Sequence, residues 1–266
     1  MMEIIAYLAI GSFAGVTAGL LGIGGGIIIV PLLLVVFSWS QQIPYDLHAH
    51  VAVATSLASI IFTATSTIIA QQKKKAIIWP IFLFMLPGVL LGSYFGAWLA
   101  VWLPRDPLLI VFSIFMLLVG IKMWTSWTPH KIKPSFSIQE RFPVGFIIGT
   151  ISSIVGIGGG TITVPYLSLG KIKIQKAIAV SSALGLPIAV SGSLSFYFNS
   201  LSKVGPIDNI WGYIFLPAFL AIIVVSVFTA KFGVYLSHKL DKHLLEKIFA
   251  VLLFSQALKI MWGVVA

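Results

Sequence analysis

A seventeen-residue segment occurs twice in this chain, at an offset of 134 residues. The first copy is Gly15-Val-Thr-Ala-Gly-Leu-Leu-Gly-Ile-Gly-Gly-Gly-Ile-Ile-Ile-Val-Pro31; the second is Gly149-Thr-Ile-Ser-Ser-Ile-Val-Gly-Ile-Gly-Gly-Gly-Thr-Ile-Thr-Val-Pro165. Nine of the seventeen positions are identical, and the offset is about half of the 266 residues, so the chain reads as two related halves. Each interior glycine costs a helix roughly 1 kcal/mol relative to alanine. Three in succession between apolar runs should therefore open the backbone.

What an open backbone means depends on the solvent. The chain is 59% hydrophobic and only 9% charged, against about 25% charged in a soluble domain. It is expected to be an integral membrane protein, with residues 1–266 forming a single transport domain. In a membrane, non-helical backbone survives only where protein or a water-filled cavity satisfies it. Each glycine run thus predicts a broken helix facing an interior site. The residues after the break begin a half-helix whose free N–H groups and positive dipole end attract an anion. Broken helices at corresponding positions of two halves point to a transporter's binding site. Gly11, Gly15 and Gly19, at four-residue spacing, instead predict close helix packing.

Several function classes fall away. There is no cysteine, which excludes disulfides, thiol catalysis and cysteine-ligated metals. No cluster of His, Asp and Glu recurs at useful spacing, so neither an enzyme nor a metal or other cofactor is expected. The glycine run lacks the Lys-Ser/Thr of a phosphate-binding P-loop. The net charge of +10 reads as topogenic charge on loops, not as a nucleic-acid surface.

Along the chain, residues 4–37 read as one hairpin around the first break. Leu47–Ala70, Ile77–Leu103 and Leu108–Trp127 follow as spans. The second half repeats the order: a hairpin over Phe142–Leu169, then spans at Ala177–Phe198, Ile210–Ser237 and Leu244–Val265. Repeat one covers 1–128, a polar connector 129–141, and repeat two 142–266. The limb Ile27–Phe37 would rise only about 16 Å, half of a ~30 Å hydrocarbon core, which favours a re-entrant hairpin. With three crossings per half, 14 of the 17 lysines and arginines collect on one side and 3 on the other. The positive-inside rule makes that basic side cytoplasmic and places both termini outside. Two full crossings per glycine-rich unit would give the same signs. An odd number of crossings per half inverts the repeats. The expected fold is all-α: a polytopic membrane protein of two inverted repeats, each a broken helical hairpin plus three transmembrane helices.

Inverted hairpins would bring their tips together near the midplane. One tip is Gly24, Gly25, Gly26 and Ile27; the other is Gly158, Gly159, Gly160 and Thr161. Hydroxyls of Thr55, Ser56, Ser181 and Ser182 would complete a cage of neutral donors, which suits a small oxyanion better than a cation. The central parts of the spans carry no carboxylate that would mark proton or cation coupling. His48 and His50, near the outer end of their span, are the candidates for a proton or gating role. An anion leaving an inside-negative cell gains about 2.3 kcal/mol per charge per 100 mV, so export can run by uniport or linked to protons. An anion channel, or an importer of sulfonates and organic anions, would use the same tips. A homodimer is compatible with the sequence.

At these residues the chain resembles the sulfite exporter TauE/SafE family, part of the toluene sulfonate uptake permease superfamily. The resemblance rests on the paired Gly-Ile-Gly-Gly-Gly followed by Val-Pro, and on Ala52-Val-Ala-Thr-Ser-Leu57 against Ala179-Val-Ser-Ser-Ala-Leu184. It covers nearly the whole chain. The family motif falls on Gly22, Gly24, Gly25, Gly26 and Pro31, and again on Gly156, Gly158, Gly159, Gly160 and Pro165. It implies a bacterial inner-membrane transporter of sulfite, sulfonates or related organic anions, with a small anion and the lipid bilayer as its partners.

Overall fold

The computed structural model describes residues 2–22, 24–40, 42–125, 138–169, 172–200, 208–236 and 242–265. The first half consists of α1 (Met2–Leu21), α2 (Gly26–Ser40), a 3-10 turn at Tyr45–Leu47, α3 (His48–Lys73), α4 (Trp79–Trp102) and α5 (Arg105–Thr125). The second half holds α6 (Ile138–Val155), α7 (Gly160–Leu169), α8 (Ile174–Ser200), α9 (Leu216–Leu236) and α10 (Lys242–Val265). Among the described residues, six helices are long and apolar enough to cross a membrane: α1, α3 with its preceding turn, α4, α5, α8 and α9. The protein is a multi-spanning helical bundle.

Both glycine runs break the chain between helices. Three φ angles turn positive at the first break, +69° at Gly22, +80° at Gly24 and +76° at Gly25, and two at the second, +76° at Gly156 and +77° at Gly159. Side chains beyond glycine rarely tolerate that region. The break begins earlier than the triple glycine: Gly22 closes α1 in the left-handed cap conformation, its N–H donating to the Ala18 carbonyl at 3.0 Å. The third glycine of each run already belongs to the next helix.

Around the first break the chain folds back on itself. Gln42, just past α2, donates to the Glu3 carboxylate at 2.7 Å, and the rings of Tyr7 and Phe37 both pack on Phe215, with centroids 6.3 and 5.8 Å away. The start of α1 and the end of α2 therefore share one end of the molecule. The returning limb is longer than the sequence suggested, 15 residues or about 22 Å. Ser38 does not end it, because its hydroxyl donates to the Val35 carbonyl at 2.7 Å and stays within the helix. Likewise α6 starts at Ile138, ahead of Phe142; residues 126–137 of the connecting region lie outside the described residues.

Small residues decide which helices lie together. Gly11, Gly15 and Gly19 of α1 face the backbone at Ile222, Ser226 and Ala230 of α9, and a Cβ would come within 2.7 Å of the Ile222 carbonyl at Gly11 and 2.6 Å of the Ser226 carbonyl at Gly15. Gly88, Gly92 and Gly96 of α4 meet Phe142, Phe146 and Thr150 of α6 in the same way. Residue numbers rise together in both pairs, so α1 runs parallel to α9, and α4 to α6. In contrast Leu57 lies beside Gly192 and Ala64 beside Gly185, so α3 and α8 are antiparallel. Each hairpin's first helix thus packs along a helix of the other half.

One element differs in kind. The segment read as the start of a span at Ile210 is a small antiparallel ribbon, β1 (Ile210–Trp211) and β2 (Ile214–Phe215), with Ile210 opposite Phe215. Positive φ at Asn209 (62°) and Gly212 (66°) reverses the chain there, and α9 begins only at Leu216.

The helix directions also sort the charges. Lys73 and Lys74 at the end of α3, Lys173 and Lys176 by the start of α8, and Lys231 late in α9 gather at one end. Arg141 joins them, its guanidinium over the Phe84 ring at 5.3 Å. Arg105, over Tyr45 at 3.7 Å and paired with Asp106 at 2.6 Å, lies at the other.

Candidate functional site

The two breaks meet. A Cβ on Gly24 would lie 2.8 Å from the Gly158 Cα, and one on Gly26 would collide with the Gly156 carbonyl. At Gly24 glycine is required for two reasons at once, backbone conformation and the approach of the other loop; at Gly26 the approach alone requires it. Each tip also rests on its own first helix: a Cβ on Gly25 would meet the Ala14 carbonyl at 2.8 Å, and one on Gly159 the Ile148 side chain at 3.4 Å.

Both following helices start at this junction. The N–H groups of Ile28 and Ile29 donate to the Gly25 carbonyl at 3.0 and 3.1 Å, and those of Ile162 and Thr163 to the Gly159 carbonyl at 3.2 and 2.9 Å. The amides of Gly26 and Ile27, and of Gly160 and Thr161, precede these first intrahelical bonds, so they carry the orphan donors and the positive end of each dipole. Two amide-bearing helix starts therefore share one buried region. Pro31 and Pro165 sit inside α2 and α7 and donate no N–H, so the carbonyls one turn earlier, Ile27 and Thr161, lose their intrahelical partner.

The long helices α3 and α8 clamp the junction. On α8, Ile178 touches Gly22 and Gly185 touches the Gly158 carbonyl, 3.2 Å from a Cβ built on Gly185. Ser182 lies on that same face, four residues after Ile178 and three before Gly185. Its hydroxyl is buried and has no partner among the described residues. On α3, Val53 meets Gly156 and Ile60 meets Gly24 and Gly26.

The four hydroxyls singled out from sequence have three different tasks. Ser56 donates to the Gly156 carbonyl at 2.8 Å, and Ser181 to the Gly22 carbonyl at 3.0 Å. A serine has one hydrogen to give, so both are spent tying a long helix of one half to the break of the other. Thr55 is not brought to the tips by any bond; its oxygen accepts the Phe215 N–H at 3.0 Å. Ser182 alone of the four stays uncommitted.

Others emerge that the spacing did not single out. The hydroxyls of Ser153, Thr163 and Ser193 are buried without a partner among the described residues, like those of Ser182 and of Thr161, which the sequence already placed at the second tip. All five belong to the second half. A Cβ on Gly192 of α8 would lie 3.0 Å from the Ser153 hydroxyl, which places Ser153 against the helix carrying Ser182. In the first half, Thr17, Ser56, Ser59 and Thr63 are all bonded to backbone carbonyls. Ser153 and Thr163 stand inside the repeated segment, where Ala and Ile would have been read as equally suited to a membrane helix, so nothing in the sequence marked them.

His48 and His50 lie apart from the junction, at the other end of α3. His48 Nε2 is 2.9 Å from the Ile43 carbonyl and His50 Nε2 is 3.0 Å from the Leu103 carbonyl. Carbonyls only accept, so these nitrogens carry the hydrogen. His50 also stacks on Tyr213, centroids 5.5 Å apart at 28°; burial raises the Tyr213 phenol above its ordinary range, which keeps that ring neutral. Among the described residues, no group of three His, Cys, Asp or Glu is placed to hold a metal.

The model of the sulfite exporter TauE/SafE family matches residues 7–260. A "Probable membrane transporter protein" of Haemophilus influenzae is 32% identical over 256 residues, 96% of this chain and 97% of its own length. A protein of the same description in Methanocaldococcus jannaschii is 30% identical over 248 residues, 92% of this chain and 91% of its own. The Bacillus subtilis protein YunE, also so described, is 26% identical over 234 residues, 79% and 85% of the two chains. No solved structure matches. The paired glycine breaks, the membrane-length helices and a likeness that runs nearly end to end lead to one conclusion: this chain belongs to the sulfite exporter TauE/SafE family and is a membrane transport protein, not an enzyme.

Proposed function

We propose that this protein moves small sulfur-containing oxyanions, sulfite or organosulfonates, out of the cell by alternating access, with the anion held between the starts of α2 and α7. One observation carries the reading: the two breaks touch at Gly24 and Gly158, where both helices begin. The amides of Gly26, Ile27, Gly160 and Thr161 and the hydroxyls of Ser182 and Thr161 supply neutral donors. Thr163, Ser153 and Ser193 extend that set on the second half's side. An oxyanion fits such a set, because N–H and O–H groups donate to its oxygens. Gly25 and Gly159 shape the tips, while Ser56 and Ser181 hold them in register and Thr55 anchors α3 to the ribbon.

The broken hairpins act as equivalent units of two inverted repeats, residues 1–128 and 142–266, the first of them with a limb, α1, of membrane-spanning length. The support is threefold: α3 and α8 are antiparallel, α1–α9 and α4–α6 are corresponding pairs exchanged between halves, and Ser56 and Ser181 reach the equivalent carbonyls of Gly156 and Gly22. With the lysine-rich end cytoplasmic, both termini face outward. His48 and His50 then lie at the outer mouth, where they hold α3 to its neighbours as a gate.

Sulfite flux in proteoliposomes tests the proposal. Efflux should saturate and should rise under an inside-negative potential or respond to a pH gradient. Flux indifferent to both removes the uniport and the proton-linked versions; conductance on a single-channel scale would make the protein a channel.

A further inference from the structure

Away from the junction, the C-terminal parts of α3 and α9 enclose a cleft of about 310 Å³. Lys73, Lys74 and Lys231 line it together with apolar Ile69 and Val234 and the ring of Tyr235. Three cations share this small space, and none of them forms an ion pair with a carboxylate of the described residues. Among the described residues Lys74 reaches the Val234 carbonyl alone, at 3.4 Å.

The cleft is on the perimeter, not in the core. Ile69 is 50% exposed and Tyr235 52%, and Phe228 and Phe232 are exposed on the same face of α9 as Lys231 and Tyr235. In a membrane protein these apolar side chains face acyl chains. With 26 residues, α3 is about 39 Å long, more than a ~30 Å hydrocarbon core, so Lys73 at its end reaches the headgroup layer. Lys231 sits about 8 Å short of the end of α9 and extends its amine toward the same layer.

From this combination of amines with no carboxylate partner among the described residues and exposed rings below, we infer that the α3–α9 cleft binds an anionic phospholipid. Its phosphate lies among Lys73, Lys74 and Lys231, and an acyl chain runs down over Ile69, Phe232 and Phe228. A free anion would use the lysines but not the apolar floor. A zwitterionic lipid would carry its own ammonium into a site that already holds three cations. The inference does not depend on what is transported.

The test compares melting temperatures of the full chain in neutral detergent micelles, with phosphatidylglycerol or phosphatidylcholine added at equal mole fraction. Phosphatidylglycerol should raise the melting temperature, and phosphatidylcholine or inorganic phosphate should not. Each lysine near a charged lipid surface is worth about a fivefold change in affinity, so Lys73→Gln with Lys231→Gln should weaken phosphatidylglycerol binding about 25-fold. Lys259→Gln, late in α10 and outside the cleft lining, serves as the charge-matched control and should retain it. Lys231→Arg keeps the cation and should also retain it, which separates loss of binding from loss of folding. An equal shift in the double variant and the wild type, an equal loss in Lys259→Gln, or full reproduction of the effect by inorganic phosphate would overturn the assignment.

Discussion

Replacing Gly24 with alanine tests the junction most directly. A residue with a Cβ at φ +80° costs about 1–2 kcal/mol in the left-handed region. The new Cβ would also sit 2.8 Å from the Gly158 Cα and 3.1 Å from its nitrogen. Both neighbours are backbone, so no rotamer change relieves the clash. Ordinary contact starts at 3.4 Å, and the tips must separate by about 0.6 Å or more, with overpacking of this kind costing roughly 1–3 kcal/mol. An anion bridging both helix starts would then lose at least one hydrogen bond from one of them. A hydrogen bond to a charged group is worth about 1.5–3 kcal/mol, so the dissociation constant for sulfite should rise about 10- to 150-fold. Calorimetric titration of the purified protein reads this, with Gly212→Ala as the control. Gly212 has a φ of +66° and should lose similar stability, but it lies in the ribbon turn against Tyr197 and Ser200. Wild-type affinity in Gly24→Ala, or an equal loss in Gly212→Ala, would refute the reasoning.

Two further substitutions sort structural groups from binding groups. Ser56→Ala and Ser181→Ala each leave a buried carbonyl without its donor, and a thermal melt should show a loss of about 1–3 kcal/mol; Ser182→Ala removes no internal bond and should melt like the wild type while binding sulfite about tenfold more weakly. Gly15→Leu should prevent assembly of α1 on α9, since even a Cβ collides with Thr229 and with the Ser226 backbone; the expected result is loss of the monodisperse peak in size-exclusion chromatography, and a stable, active variant would contradict the packing described.

Much of the fold was legible because its determinants are local. A run of glycines in an apolar segment opens a helix whatever surrounds it, and both breaks fall where the repeated segment placed them. Glycines four residues apart mark a face that must meet another backbone, and Gly11, Gly15 and Gly19 do so against α9. Helix ends were less legible. The limb read as ending at Phe37 continues to Ser40, with the Ser38 hydroxyl bonded within the helix. The ribbon at 210–215 went unread because Ile, Trp, Tyr and Phe suit a strand and a membrane helix equally well.

The duplication, the paired breaks and the one-sided distribution of lysines follow from the order of residues alone, since each depends on neighbours along the chain or on its passage through a bilayer. Partner choice does not. That Ser56 and Ser181 are committed while Ser182 is open depends on which backbone of the opposite half each side chain meets. A hydroxyl's single hydrogen goes to whatever acceptor the packing brings within 3 Å or so, and for Ser56 and Ser181 that acceptor lies 100 and 159 residues away in sequence.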